Sequence, residues 1–512
     1  MVKDSQKRIT KFIGIVSFGT FTSRIVGYIR DVLIADRFGA GLVSDAFFTS
    51  WRIPNTLREL LGEGALSAAF IPVFTEYLKT KGREQAWQLA NLIINALLII
   101  SILITLSGII LSPLIISIIA PGFVGKDVFT LTVLLTRITF PFTIFICLAA
   151  LVMGILNSIQ HFTLPAFAPA ILNICLILAI LFLCPLFGEL SIVGLSIGLL
   201  IGGLIQLLIQ IPPLIKERME YRLIIDFFHP GVREVIRLML PRALGAAVTQ
   251  FNIFISNLLA SFLIFGSISS LFYANRLVHF PLAIFGIAIG TVLFPTMSRQ
   301  VVEGNLQGVK ESLRFGLKMV ILTSLPPTIG LMVLGRPIIE LLFQHGEFDI
   351  TATNITYLAL FFYAFGLLGF SSLKVIVPAF YAQHDTWTPL KIGIISVIAN
   401  VIFSLLLMKP LEQGGLTLSL SLSGFLNAGL LLISLRQKIG PIGLKEILIF
   451  LFNVLLASSM MGFFCGIILK IDIGLFYQVI IGIIGGLIVL FLSCKWLKIK
   501  EVDDVWKMVR KK

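Results

Sequence analysis

The chain has 512 residues, 57% of them hydrophobic and 13% charged, with a formal net charge of +14 and a mean hydropathy of +1.01. Soluble domains carry about twice that share of charge, so a water-soluble globular fold is excluded. The apolar runs are continuous rather than alternating with period two, which excludes a transmembrane barrel and leaves helices, whose backbone satisfies its own hydrogen bonds in lipid.

In chain order the apolar runs predict helices near residues 9–36, 43–78, 86–118, 128–157, 161–185 and 190–215. A basic amphipathic connector follows over 216–237. Further helices are expected near 235–263, 268–298, 310–334, 350–381, 387–408 and 413–435, then two more near 443–469 and 473–497. Each run can cross a hydrocarbon core about 30 Å thick. The total is about fourteen, an all-α polytopic membrane protein.

The charge follows the same order. One set of short segments collects Lys79, Lys81 and Arg83, then Lys216, Arg218 and Arg222, then Arg436 and Lys438, and the tail from Lys495. The alternate segments hold little beyond Lys126, Lys409 and Lys470. By the positive-inside rule both termini are expected on the cytoplasmic side, which requires an even number of spans. The basic excess is assigned to topology and anionic lipid, not to nucleic acid. No removable signal peptide is read at the N-terminus. The five cysteines lack metal-ligand spacing, and neither a disulfide framework nor a metal site is expected.

Pro72 and Pro295, Gln160 and Gln383, and His161 and His384 share one offset of 223 residues. The expected positions are equivalent: each proline ends a helix, and each Gln-His pair joins two. A six-helix unit used twice in the same orientation explains the offset, with a central cavity as the natural substrate site. The expected division is a first lobe over 1–222, a second over 223–440, and two extra helices with a basic tail over 441–512. Those two helices serve either as packing or as a lipid-facing groove.

The chemistry concentrates in the first sixty-five residues. Arg24, Arg30, Asp31, Arg37, Asp45, Arg52, Arg58, Glu59 and Glu63 lie in or beside two expected spans. One such residue at a helix centre costs about 2.5–3.5 kcal/mol, so the cluster must pair internally or face water. Arg24, Gly27 and Asp31 share one helical stripe, and Arg30 and Arg37 another. Pro54, Gly62 and Gly64 break the second helix around Arg58 and Glu63. Arg276 stands in a later apolar helix, and Lys374 and Asp385 near the tenth. Arginine forks suit bidentate phosphate binding, and a surplus of arginine over carboxylate points to a diphosphate-bearing ligand. Pairing that merely holds the bundle together is the alternative. No nucleotide-binding, metalloprotease or nucleophile motif is found, so an ATPase or enzyme is not expected, nor any cofactor. Transport would run on the membrane potential or a monovalent cation.

Thr22–Asp31, Phe38–Gly41, Ser44–Phe48, Pro54–Arg58 and Gly62–Pro72 resemble the N-terminal signature of the MurJ (MviN) family. Tyr273–Leu277, Gly290–Pro295 and Phe380–Pro389 resemble later signatures of the same family. The resemblance covers essentially the full length. It implies the fold of the MOP exporter superfamily and an activity of flipping lipid II across the bacterial inner membrane, by alternating access and as a monomer. Lipid II is the undecaprenyl-pyrophosphate-linked peptidoglycan precursor. The resemblance also implies substrate-binding roles for Arg24, Arg30, Asp31, Asp45, Arg58, Glu63 and Arg276, and a lipid-tail groove on the two extra helices. The chain departs from the family where Glu59 replaces a second basic residue. His279 stands where an acid or amide is common, and Asn252–Asn257 carries no carboxylate for sodium, leaving Asp385 as the candidate for ion coupling. Two other readings stay open: export of another polyprenyl-linked glycan or a small molecule by the same fold, and a membrane enzyme or scaffold. Alanine at Arg24, Arg30 or Arg276 is expected to abolish function with normal expression.

Overall fold

The computed structural model describes residues 2–60, 65–499 and 501; among them there is no strand. The helices are α1 (Val2–Phe38), α2 (Leu42–Leu57), α3 (Ala65–Thr80), α4 (Arg83–Ile110), α5 (Ser112–Ile119), α6 (Asp127–Thr139), α7 (Phe142–Ser158), α8 (Thr163–Leu178), α9 (Ser191–Leu208) and α10 (Ile211–Lys216). After the connector come α11 (Pro230–Ala260), α12 (Ser267–Pro281), α13 (Ile287–Val302), α14 (Leu306–Phe343), α15 (Ile350–Phe365), α16 (Leu367–Ala382), α17 (Trp387–Ile439), α18 (Leu444–Ile468) and α19 (Leu475–Trp496).

Among the described residues six helical stretches are individually long and apolar enough to cross a membrane, or up to nine if each bent pair is one span. Two of the six, Thr163–Lys216 and Trp387–Ile439, contain 54 and 53 residues. As an unbroken α-helix each would be ~80 Å long, more than two core thicknesses. Each also contains a break in helical backbone, at Gly188 (φ 53°, ψ −122°) and at Glu412 (φ 49°, ψ −129°).

The internal repeat extends well beyond the three residue pairs that reveal it. The starts of α4 and α14, Arg83 and Leu306, are 223 residues apart. The bent pair α6–α7 recurs as α15–α16, each with a 40° bend. Gln160 and His384, in the equivalent connections, both take the left-handed backbone, with φ of 63° and 58°. One expectation is corrected. Pro72 and Pro295 do not end helices; they sit inside α3 and α13, which continue to Thr80 and Val302. In lipid, neighbouring helices can re-satisfy the carbonyl that proline frees, so a membrane helix tolerates it.

The chain packs as two compact units, Met1–Ile268 and Ser269–Lys512. In unit 1, α1 lies along α8, and α11, the first helix of the second sequence repeat, packs on α3. The packing boundary therefore falls about one helix later than the repeat boundary near residue 222: one follows contacts and the other follows sequence symmetry. Gly39, with φ of 61°, ends α1, and the Ser44 hydroxyl donates to the carbonyls of Phe38 (3.0 Å) and Gly39 (2.7 Å), satisfying the last turn.

In unit 2, α14 packs against α15, α16 and α18, and α18 against α19. Val454, Ala457, Met461 and Cys465 of α18 are buried, whereas Phe452 and Phe463 on the same helix are exposed, an outer face apolar enough for lipid. All five cysteines are free thiols. A close backbone approach in this unit is at Gly290, where a Cβ would lie 2.1 Å from the Lys374 carbonyl oxygen. Alanine there must push α13 off α16, so Gly290→Ala is expected to cost about 1–3 kcal/mol, read as a lower thermal midpoint in detergent.

Candidate functional site

The described arginines and carboxylates singled out from the sequence differ in burial and in their partners within each unit. Arg30 is 4% and Asp31 0% exposed. The Arg30 Nε donates to Asp31 Oδ1 (2.9 Å), one Nη donates to the same oxygen, and the other donates to Asn173 Oδ1 on α8 (2.8 Å). The Asn173 amide in turn donates to the Ser23 carbonyl (3.1 Å), and the Arg30 guanidinium lies 5.1 Å from the centre of the Trp51 ring. These contacts form an interior knot joining α1, α2 and α8 around a directly paired guanidinium and carboxylate. Normal expression of Arg30→Ala, expected from the sequence, does not fit it, because the substitution strands a buried carboxylate.

Arg24 behaves differently. It sits two turns earlier on α1, is exposed, and makes no hydrogen bond or ion pair among the described residues. It lies ~21 Å along α1 from the end at Phe38. The stripe shared with Gly27 and Asp31 is thus split, since the latter two are buried. Helical periodicity gives the direction of a side chain; the neighbours present at that level decide whether it is covered.

Asp45 is 2% exposed at the start of α2, and its Oδ2 accepts from the Gly266 backbone N–H (2.7 Å). Gly266 takes φ of 93°, and a Cβ there would meet the Ala40 carbonyl oxygen at 2.4 Å. Asp45 therefore ties the α1–α2 turn to the loop after α11. Arg58, half-buried, donates to Asn55 Oδ1 (3.2 Å) and lies 3.9 Å from Glu59. Glu59 accepts from Asn55 Nδ2 (3.1 Å) and from the Gln250 side-chain amide of α11. Residues 58–60 wind as a π-helix, where the sequence predicts a broken span. Glu63 lies outside the described residues.

In unit 2, Arg276 is half-buried on α12 and has interacting partners; three residues before it Tyr273 is fully buried, 5.1 Å from the Phe343 ring and 5.6 Å from the Phe348 ring. Asp385 stands in the α16–α17 connection. Its Oδ2 accepts from Lys438 Nζ (2.8 Å) and the Thr388 hydroxyl (2.8 Å), and its Oδ1 from the Thr388 N–H (3.0 Å). An ammonium thus occupies the carboxylate proposed for ion coupling. Burial by itself would raise the Asp385 carboxyl, but the Lys438 and Thr388 donors outweigh it and bring it to about 2. Because the folded value is depressed below the ordinary one near 4, the tie stabilises fully above about pH 4 and is lost as pH falls toward 2. The difference in thermal midpoint between wild type and Asp385→Asn is therefore expected to be constant at neutral pH and to vanish over that window. A difference that persists at its low-pH limit would contradict the tie.

The repeat-equivalent connection in unit 1 carries the opposite arrangement. There the acid is Glu217, accepting from His161 Nε2 (2.8 Å) and from Arg83, and these donors hold its carboxyl below the usual range. Sequence reasoning missed three residues in unit 1. Asn173 and Gln250 carry the polar contacts of Arg30 and Glu59, and a search for amides within apolar helices would have found them. Arg242, inside α11, is exposed and makes no ion pair among the described residues; it passed unnoticed at the edge of the basic connector.

Residues 34–482 match the family model described as lipid II flippase MurJ. The chain is 38% identical over 435 residues to the probable lipid II flippase MurJ of Vibrio cholerae serotype O1, covering 83% of this chain and 82% of that protein. Among solved structures it is similar to a lipid II flippase MurJ in an inward closed conformation, with a TM-score of 0.81 and 28% identity over 95% of this chain and 99% of the other. An inward-facing MATE family multidrug resistance transporter of the MOP superfamily shares the fold, with a TM-score of 0.71 at 14% identity over 82% of this chain and 95% of the other.

Proposed function

Since the chain belongs to the lipid II flippase MurJ family, we propose that it moves lipid II from the cytoplasmic to the outer leaflet of the bacterial inner membrane, with Arg24 taking the diphosphate. It is a polytopic membrane transporter, and its substrate, a peptidoglycan precursor, is a diphosphate anion attached to a long polyprenyl tail. A diphosphate leaving water needs cationic donors at depth, preferably planar forks that bind two oxygens at once. Arg24 supplies one that no carboxylate among the described residues already holds, and this is the observation that carries the mechanism.

Arg30 and Asp31 form a buried ion pair that fixes α1 against α8, so that Arg24 is presented from a rigid helix. Asp45 and the Arg58–Asn55–Glu59–Gln250 network hold the two ends of α2. Headgroup passage proceeds by alternating access, powered by the membrane potential or a monovalent cation, with the monomer as the working unit and both termini on the cytoplasmic side. The experiment is lipid II translocation in proteoliposomes, with and without an imposed potential and with sodium varied. Translocation that the intact protein supports and Arg24→Ala lacks is the expected result. No translocation under any of these conditions would overturn the reading.

A further inference from the structure

The connector between the sequence repeats is held in an unusual way. Residues 220–226 have no regular secondary structure, and two buried asparagines one turn apart on α4 bind their backbone as a neighbouring strand would. The Asn91 amide donates to the Glu220 carbonyl (2.9 Å) while its oxygen accepts from the Arg222 N–H (3.2 Å). The Asn95 amide donates to the carbonyls of Arg222 and Ile224 (both 2.9 Å), and its oxygen accepts from the Tyr221 hydroxyl (2.7 Å). With alternate carbonyls fixed to α4, Leu223 and Ile225 are left exposed, as is Phe228 beyond them.

Between this segment and the first two turns of α4 is a cleft of about 510 Å³ whose lining includes Arg83, Trp87, Asn91, Arg218 and Arg222. Glu84 and Glu220 also line it. Trp87 is 8% exposed, and its buried indole N–H has no hydrogen-bond partner, a donor that costs free energy until something accepts from it. Arg218 is exposed and makes no ion pair among the described residues. Arg83 and Arg222 are paired, to Glu217 and Glu220, but both guanidinium groups are more than half exposed. Ion pairs at that exposure contribute little and yield readily to a stronger anion.

We propose that this cleft binds the phosphate of an anionic membrane lipid headgroup, with the acyl chains lying over Leu223, Ile225 and Phe228. Arginine forks suit phosphate oxygens; the apolar rim favours a lipid over a free phosphate. A zwitterionic headgroup brings its own ammonium against the same arginines and is disfavoured. Polybasic segments at a membrane surface gain about 1 kcal/mol per cation from anionic lipid. The site uses none of the residues given to lipid II and stands whether or not Arg24 receives a diphosphate.

The test is equilibrium binding to the purified full-length protein in neutral detergent. The probes are dihexanoyl phosphatidylglycerol, dihexanoyl phosphatidylcholine, glycerol 3-phosphate and inorganic phosphate. Phosphatidylglycerol is expected to bind about tenfold more tightly than phosphatidylcholine, a difference of about 1.4 kcal/mol, and neither water-soluble phosphate should displace it at equal concentration. The double variant Arg218→Gln, Arg222→Gln should lose the preference. Equal binding of the two lipids would overturn the site, as would a preference retained by the double variant. Displacement by inorganic phosphate as effective as by the lipid would assign the cleft to a free anion, and displacement by lipid II alone would assign it to the transported substrate; either result refutes the proposal.

Discussion

Alanine at Asp31 is expected to destabilise the protein by about 3–5 kcal/mol, the cost of leaving a buried guanidinium without its counter-charge. Arg30 cannot escape to water by a change of rotamer alone, because Asn173 and Trp51 hold its planar group and the residue is almost fully covered. Asp31→Asn keeps an acceptor but removes the charge and should fall between wild type and alanine. Arg30→Ala should be comparably damaging, since it strands a carboxylate at 0% exposure. The informative variant is the double replacement Arg30→Met, Asp31→Leu. Substituting apolar groups for a buried ion pair is often neutral, so much of the stability should return. Lipid II translocation by that stable double variant then measures whether the pair serves only as support. Retained translocation is the expectation here. A folded but inactive double variant would return Arg30 to the substrate, and an unchanged thermal midpoint in Asp31→Ala would contradict the knot itself.

The second large effect is at Arg24, with the opposite signature: transport lost and stability kept. A bidentate guanidinium on a phosphate desolvated at depth supplies two charge-assisted hydrogen bonds, together worth about 3 kcal/mol or more. Removing them should slow translocation more than a hundredfold while the thermal midpoint stays at the wild-type value, since Arg24 has no partner among the described residues to lose. Arg24→Lys keeps the charge without the fork and should retain a small fraction of the rate. Wild-type translocation by Arg24→Ala in proteoliposomes would remove the residue from the mechanism. Arg242 gives a useful comparison: it too is an exposed arginine within a long helix of unit 1, and no resemblance assigns it a role.

Stability and transport are thus expected to separate along a single helix. Residues that were equal on grounds of composition divide according to what covers them. Arg30 and Asp31 meet Asn173 and Trp51 and become interior. Two turns earlier no such neighbour covers Arg24. Asp45 and Asp385 illustrate the same point at the helix ends, where close donors engage them, among them the Gly266 N–H for one and Lys438 and Thr388 for the other. The carboxylate reserved for ion coupling is, in this conformation, a tie between the α16–α17 connection and the end of α17.

The sequence by itself determined the helical membrane class, the repeat at an offset of 223 residues, and the family, because each is a property of local composition or of order along the chain. Continuous apolar runs admit one secondary structure in lipid, and a duplicated unit leaves matching residues at fixed spacing whatever their contacts. Only the tertiary structure decided which charges are spent. Pairing depends on groups distant in the chain, such as Asn173 against Arg30 or Gln250 against Glu59, and on side-chain depth, which periodicity does not encode. The same limit explains Pro72 and Pro295: a proline signals a helix end only when no neighbouring helix satisfies the carbonyl it frees, and that neighbour is supplied by the fold.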